Sequence, residues 1–470
     1  MSRPNARLPK FASRKDALEL VGRLGGEFAI IKNPGYVQPP YEACPLAKKL
    51  RRLPRGLAGI VKDMDGTTTT TEALCLHSLE TMVRRITGRL DSAVWAGLDR
   101  TRDYPHIIGN STTRHVEYLI ETYQKDIRRE ALERAYVEAA VWTLAFGHDP
   151  GRRAEVENNI VNLGLRGIRE DRDFKALASG NSLGGEAARR GLDRLARRFS
   201  GAFRLEEFAQ VVRAAIDIYY YRYHEILAAV KEGRGAELSR LILREPGRSL
   251  IEPMPGVAVF LCLVRGWLGG AEAQRLFDFP GAQLASHLAA HGMSKARSEA
   301  ARGRFARLAE HLARHPARIA VVTSSIEYEA AIVLGEVFRV VREQIAAWPL
   351  AARVRERLAA RFESPAAYYD AMITASDSSE IRLKPHRDLY SIALHRLGLK
   401  PEEFDCVIGF EDSESGTIAI RAAGVGCCVA VPFADTSGHD LSAASVVARG
   451  GLPEVMVRHA LFLPDSVLEK

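Results

Sequence analysis

The chain has 470 residues, 47% of them hydrophobic, and a formal charge of +8, enough apolar material for a large core and for two or more domains. No apolar run is long enough to cross a bilayer, so no membrane partner is expected, and Met1-Ser2-Arg3-Pro4-Asn5 does not lead into the apolar segment of a secretory leader. Six cysteines in so long a chain make neither a disulfide framework nor a zinc spacing, which fits a reducing cytoplasm.

Along the chain, an N-terminal extension over residues 1–55 is expected to hold a helix from Lys15 to Leu24, a strand from Phe28 to Lys32, and a loop through Pro34, Pro39 and Pro40. The apolar segment Leu57 to Val61 then breaks into Lys62-Asp63-Met64-Asp65-Gly66-Thr67-Thr68-Thr69. Residues 72–248 read as helical. Leu132, Ala135, Tyr136, Ala139 and Thr143 fall at helical spacing, as do Phe208, Val211, Val212, Ala215, Tyr219 and Arg222, with a stop signal near Gly233. Within this stretch, Tyr104 to His115 gathers polar donors around Gly109, ahead of a helix predicted over Val116 to Tyr123. A helix start preceded by hydroxyls suits an anion, which makes Arg114 a candidate substrate grip; ordinary capping by Ser111 or Thr112 is the plainer alternative. Tyr219-Tyr220-Tyr221-Arg222-Tyr223 either stacks a ring or sugar or packs helices together. The arginines from Arg189 to Arg198 are interspersed with acids and alanines, the pattern of a solvated helix face rather than of a nucleic-acid surface.

The chain is expected to return through Ile251 to Val264, and strand-like runs follow at Ile319 to Val322, at Val407 to Phe410 and around Cys427-Cys428, a pair read as buried packing. Residues 269–316 and 340–367 read as extra helices packed on or near the 72–248 insertion.

Four segments carry chemistry. Asp63 and Asp65 sit two residues apart at a strand end, where alternation aims both carboxylates at one spot. Acids that close are costly unless a cation or a shared proton relieves them. The run at Ile319 opens onto Thr323-Ser324-Ser325; Lys384-Pro385 heads a helix-like segment; Glu411-Asp412-Ser413-Glu414-Ser415-Gly416 ends the strand at Val407. Singly, each has a structural reading: an N-cap, a helix cap, a solvated lysine. Together, in an α/β sheet whose strand ends bind ligands, they make a phosphoryl-transfer set. Asp63 can attack phosphorus, and Asp65 can protonate the leaving oxygen and then deprotonate water. Gly66, Thr67, Thr323 and Ser324 can donate to phosphoryl oxygens, and Lys384 supplies a compact positive charge. An oxygen-preferring cation such as Mg²⁺ suits the acids.

Asp63-x-Asp65-Gly66-Thr67, Thr323-Ser324, Lys384-Pro385 and Glu411-Asp412-Ser413-x-x-Gly416 resemble the four motifs of the haloacid dehalogenase superfamily. The Glu-Asp-Ser-x-x-Gly form and Pro255-Gly256-Val257 are similar to its β-phosphoglucomutase-like branch, and the resemblance covers roughly residues 56–75, 250–265 and 316–435. It implies an α/β fold: a Rossmann-like core with a parallel sheet (residues 56–71 and 249–470) and a large inserted α-helical cap (residues 72–248). It further implies Asp63 as nucleophile and Asp65 as acid/base. The Mg²⁺ ligands it implies are Asp63, the main-chain carbonyl of Asp65, and Asp412 with help from Glu411. A second motif aspartate, Asp65, argues against carbon–halogen and carbon–phosphorus cleavage.

Departures bear on the branch. Lys62 replaces an apolar residue before the nucleophile, with alternation expected to turn it away from the site. His386 and Arg387 follow the motif lysine, Cys75 occupies the region where the mutases place a histidine, and Thr112 stands where their cap arginine would be, with Arg114 two positions on. Plain hydrolysis of a small phosphorylated metabolite is therefore the expectation. A phosphomutase and a non-catalytic binding or regulatory module are the alternatives.

Overall fold

A computed structural model describes residues 13–33, 37–91, 93–108, 111–180, 182–243, 248–292, 294–379, 382–433, 436 and 438–469. Residues 1–12, Pro34, and the Gly109-Asn110 pair of the expected anion turn lie outside the described residues. The expected N-terminal helix is present as Arg14–Leu24. The strand β1 (Phe28–Lys32) pairs antiparallel with β2 (Tyr41–Pro45), a partner the proline-rich sequence did not announce.

Six strands make the central sheet: β3 (Gly59–Asp63), β4 (Arg318–Val322), β5 (Ala371–Ile373), β6 (Val407–Glu411), β7 (Cys427–Ala430) and β8 (Val446–Val447). Their order is β5-β4-β3-β6-β7-β8, and every pair is parallel. β3 and β6 are buried at all positions, which is why they read as near-continuous apolar runs: a parallel strand covered on both faces has no solvent side. β3 lies between β4 and β6, so chain crossovers leave it in both directions, and this switch point is where an open parallel sheet binds ligands. The fold is the Rossmann-like α/β architecture that the resemblance implied, with an extensive helical region consistent with a cap domain.

That helical region occupies much of the interval between β3 and β4. Its central helices are Glu72–Thr87, Arg129–Phe146 and Phe208–Lys231, which pack on one another. The Phe208–Lys231 helix ends just before Gly233, whose φ is +81°, matching the expected stop. The outgoing and returning linkers are laced together. Thr70 N donates to the Glu252 carbonyl at 2.9 Å and Met254 N to the Thr68 carbonyl at 3.0 Å, and Thr69 bridges Pro253. Gly256, at φ +77°, then turns the chain into the helix Val257–Val264; a Cβ there would meet Pro453 at 2.9 Å.

One apolar cluster runs continuously from the helical region to the sheet face bearing Ile60 and Phe410, while the opposite sheet face packs Val61, Val322, Leu389 and Tyr390. The helices Gly270–Phe277, Ala285–Ala290 and Lys295–Arg314 fill 269–316 as expected but pack elsewhere. They meet Val257–Val264 and the C-terminal helices Gly451–Val457 and Asp465–Leu468, because the buried stripe Phe305, Leu308, Ala309 and Leu312 faces that way. Helix Glu327–Ala346 does touch Phe208–Lys231, and Ala352–Ala359 folds back on it. Cys427 and Cys428 are fully buried. In the arginine-rich helix Glu186–Phe199, Arg190, Arg194 and Arg198 bind Glu186, Asp173 and Asp171, the solvated-face reading.

Candidate active site

Sheet register brings the motifs together. Asp63 pairs with Val322 and Lys62 with Phe410, so Asp63, Thr323 and Glu411 stand at one level on three adjacent strands. Alternation divides Lys62 from Asp63. Asp63 faces the side of Lys384, while Lys62 points under helix Val257–Val264, its Nζ 5.7 Å from the centre of the Phe260 ring. The expectation that Lys62 turns away from the site holds, yet it does not reach solvent. It is fully buried and donates to Thr68 Oγ1 at 2.7 Å, and Thr68 donates to the Asp63 carbonyl at 2.5 Å. Burial pushes the Lys62 ammonium down to about 7.

Asp63, Glu411 and Asp412 form one buried acidic group, with a carboxylate oxygen from each lying within 4.8 Å of the others. Lys384 Nζ bonds Asp63 Oδ1 and, at 2.7 Å, Glu411 Oε1. Burial first, then the charge of Glu411, pushes the Asp63 carboxyl well above the usual carboxylate range, against the pull of Lys384. Asp412 is raised likewise by burial, Glu411 and Asp63.

The three acids are not equivalent. Glu411 Oε1 also accepts from Tyr390 at 3.0 Å, and its Oε2 accepts from Asp412 N, Ser413 N and Ser413 Oγ at 3.1, 3.1 and 2.9 Å. Its lone pairs are largely committed. Asp63 accepts at Oδ1 alone, and Asp412 accepts only from Thr67 Oγ1, at 3.2 Å on Oδ1. A carboxylate offers about four acceptor sites, so Asp63 and Asp412 keep free oxygens. Three clustered carboxylates against one ammonium leave excess negative charge in a buried place, and an all-oxygen donor set of this kind fits a hard divalent cation.

Asp65 stands apart from that trio. Its Oδ2 accepts from Thr323 Oγ1 at 3.0 Å and Ser325 Oγ at 3.3 Å, and its Oδ1 from Thr71 Oγ1 at 2.5 Å. Burial raises its carboxyl, partly offset by Thr71 and Thr323. Gly66 holds the turn between the two aspartates at φ +74°, where a Cβ would meet Asp412 Oδ2 at 2.6 Å.

Two expected residues do not join. Ser324 is exposed and makes no side-chain hydrogen bond; Ser325 takes the place beside Asp65, because the chain leaves strand alternation after Val322. Arg114 is exposed on helix Thr112–Tyr123 beside Glu117, whose carboxyl its charge acts upon. Helical phase there buries His115 and Val116 instead. Sequence reasoning missed Thr71, Ser325, Tyr390 and Glu329. The first two lie in hydroxyl runs already noted, and Tyr390 is six residues past Lys384 on helix Asp388–Arg396. Glu329, on the first turn after the Thr323 loop, carried no local signal.

No family model matches the chain, and no curated protein matches it. Among solved structures it is similar to CbbY from Rhodobacter sphaeroides in complex with phosphate, at 15% identity over 85% of this chain and 96% of that one, with a TM-score of 0.37. It is also similar to a candidate beta-phosphoglucomutase from Thermotoga maritima, at 15% identity over 86% of this chain and 99% of that one, with a TM-score of 0.32. What the acids, lysine and hydroxyls can do follows from their own geometry.

Proposed function

We propose that the chain is a Mg²⁺-dependent hydrolase of a small phosphate monoester, of the haloacid dehalogenase type, working through an aspartyl-phosphate. The observation that carries this reading is the split between two carboxylate environments at one strand end. Asp63 lies in the buried acid–lysine cluster and Asp65 outside it, among three hydroxyls.

An Asp63 oxygen attacks phosphorus while the bond to the leaving oxygen breaks, and Asp65 hands its proton to that oxygen, releasing an alcohol. Asp65, now ionised, takes a proton from water as the water oxygen attacks the phosphorylated Asp63. Inorganic phosphate leaves and the Asp63 carboxylate is restored. Lys384 offsets charge at Asp63 and the transferring group. Thr67 and the Gly66 turn fix Asp412, and Thr323 serves by fixing Asp65. Asp63 and Asp412 would hold Mg²⁺, with Glu411 orienting them through Lys384 and the Asp412 backbone. When bound, the ion supplies positive charge against the phosphate oxygens.

The test is a panel of phosphate esters with and without Mg²⁺, using Asp63→Asn as control. Mg²⁺-dependent phosphate release that falls by about 10³-fold or more in the variant is expected, since the nucleophile is gone. Bisphosphate-stimulated isomerisation with little phosphate release would point to a mutase instead, and no turnover across the panel to a binding module.

A further inference from the structure

Helix Phe208–Lys231 turns an aromatic and polar face toward helix Glu72–Thr87 and the start of Glu327–Ala346. The rings of Tyr219 and Tyr223 stack at 5.7 Å, and the Tyr219 hydroxyl lies 3.5 Å from Cys75 Sγ. His224 Nε2 meets Glu329 Oε1 at 2.7 Å, with side chains only 4% and 5% exposed. Glu329 follows six residues after Thr323, which itself holds Asp65.

Two buried polar groups on this wall are unspent. Glu329 accepts a hydrogen bond from His224 alone, leaving Oε2 without a donor. Tyr223 is 5% exposed and its hydroxyl has no hydrogen-bond partner. After burial, the charges that most raise the Tyr223 phenol are those of Glu329, Asp65 and Cys75, which sets it beside the acid/base aspartate. A buried carboxylate oxygen and a buried phenol without partners are costly, so a ligand that supplies the missing bonds is favoured. The nearby cations are already committed: Arg152, stacked 4.1 Å over Tyr220, is paired with Asp217 and Glu155, and Lys384 with Asp63 and Glu411. Among the described residues this wall offers an acceptor and a donor but no uncommitted cation.

Resting on the phosphohydrolase reading above, we propose that this wall binds the leaving group and selects an uncharged, polyol-type alcohol. One of its hydroxyls donates to Glu329 Oε2 and one accepts from Tyr223, and no second anionic group is admitted beside Glu329.

The test compares kcat/KM of the full-length protein with Mg²⁺ for glycerol 1-phosphate, n-propyl phosphate and 3-phosphoglycerate, with p-nitrophenyl phosphate as a report on the Asp63 chemistry. Glycerol 1-phosphate is expected to exceed both others by about tenfold or more, because propyl phosphate lacks the hydroxyls and phosphoglycerate brings a carboxylate. In Glu329→Gln and in Tyr223→Phe, two near-isosteric changes, the glycerol-to-propyl ratio should shrink several-fold. If p-nitrophenyl phosphate is hydrolysed in an Asp63-dependent way but propyl phosphate or phosphoglycerate matches glycerol phosphate, the selectivity proposal is overturned and the hydrolase reading stands. An unchanged ratio in both variants overturns it too. Absence of p-nitrophenyl phosphate hydrolysis overturns the hydrolase reading, and the proposal with it.

Discussion

Glu411 accepts five hydrogen bonds from Lys384, Tyr390, Asp412 and Ser413, and a glycine makes room for it. At Gly416, in the first turn of helix Glu414–Ala422, any Cβ would collide with the Glu411 carboxylate. A side chain pinned by that many donors cannot swing aside cheaply. Gly416→Ala is therefore expected to displace Glu411, loosen Lys384 and lower kcat/KM by about 10²-fold, the scale of a misplaced charge-stabilising group. The fold should be kept, as read by circular dichroism, and unchanged kinetics would show that Glu411 does not orient the lysine. The same residue scale marks the limits of reading a sequence. Asp63, Asp65, Lys384, Glu411 and Asp412 were legible because short-range spacing sets their direction. Ser324 and Arg114 were not, because their direction depends on a loop's path and on a helix's phase, neither of which is written locally.

At the scale of elements, β3, β4 and β6 announced themselves as apolar runs because parallel strands are covered on both faces. β8, two residues long, and β2, behind a proline-rich loop, offered no such period. The β1–β2 hairpin is nonetheless built into the core. Arg421 on helix Glu414–Ala422, 1% exposed, donates to the Ala47 carbonyl at 3.0 Å and the Ala443 carbonyl at 3.1 Å, and pairs with Glu27. Glu42 of β2 binds Arg382 at 3.1 Å, and Arg382 grips Asp388 at 2.8 Å, bracketing the loop that carries Lys384. Arg421→Met should leave two buried carbonyls without donors and cost about 3 kcal/mol. A lowered urea midpoint, with residues 27–47 becoming the first site of limited proteolysis, is the expected readout; an unchanged midpoint would mean that the hairpin is held by other contacts.

For the molecule as a whole, the acidic cluster sets a stability condition. Asp63, Glu411 and Asp412 are buried together, with Lys384 as the ammonium among them. A ligand that binds only the folded chain stabilises it by about 2.7 kcal/mol at 100 times Kd, which for a chain of this size is on the order of 3–5 °C in Tm. Mg²⁺ added to chelator-treated protein should raise Tm by that amount in the wild type and hardly at all in Asp412→Asn. An equal rise in both would remove Asp412 from the ion's ligands. Because one apolar cluster runs from the helical region into the sheet, the rise should appear in a single transition.

The laced linkers, Thr68–Thr71 against Glu252–Met254, have a mechanical meaning. Thr71, where the outgoing strand of this flexure gives way to the first long helix, also grips Asp65 Oδ1. The helical domain is thus a lever whose short arm ends on the proton donor, so swinging that domain and aiming Asp65 are one movement.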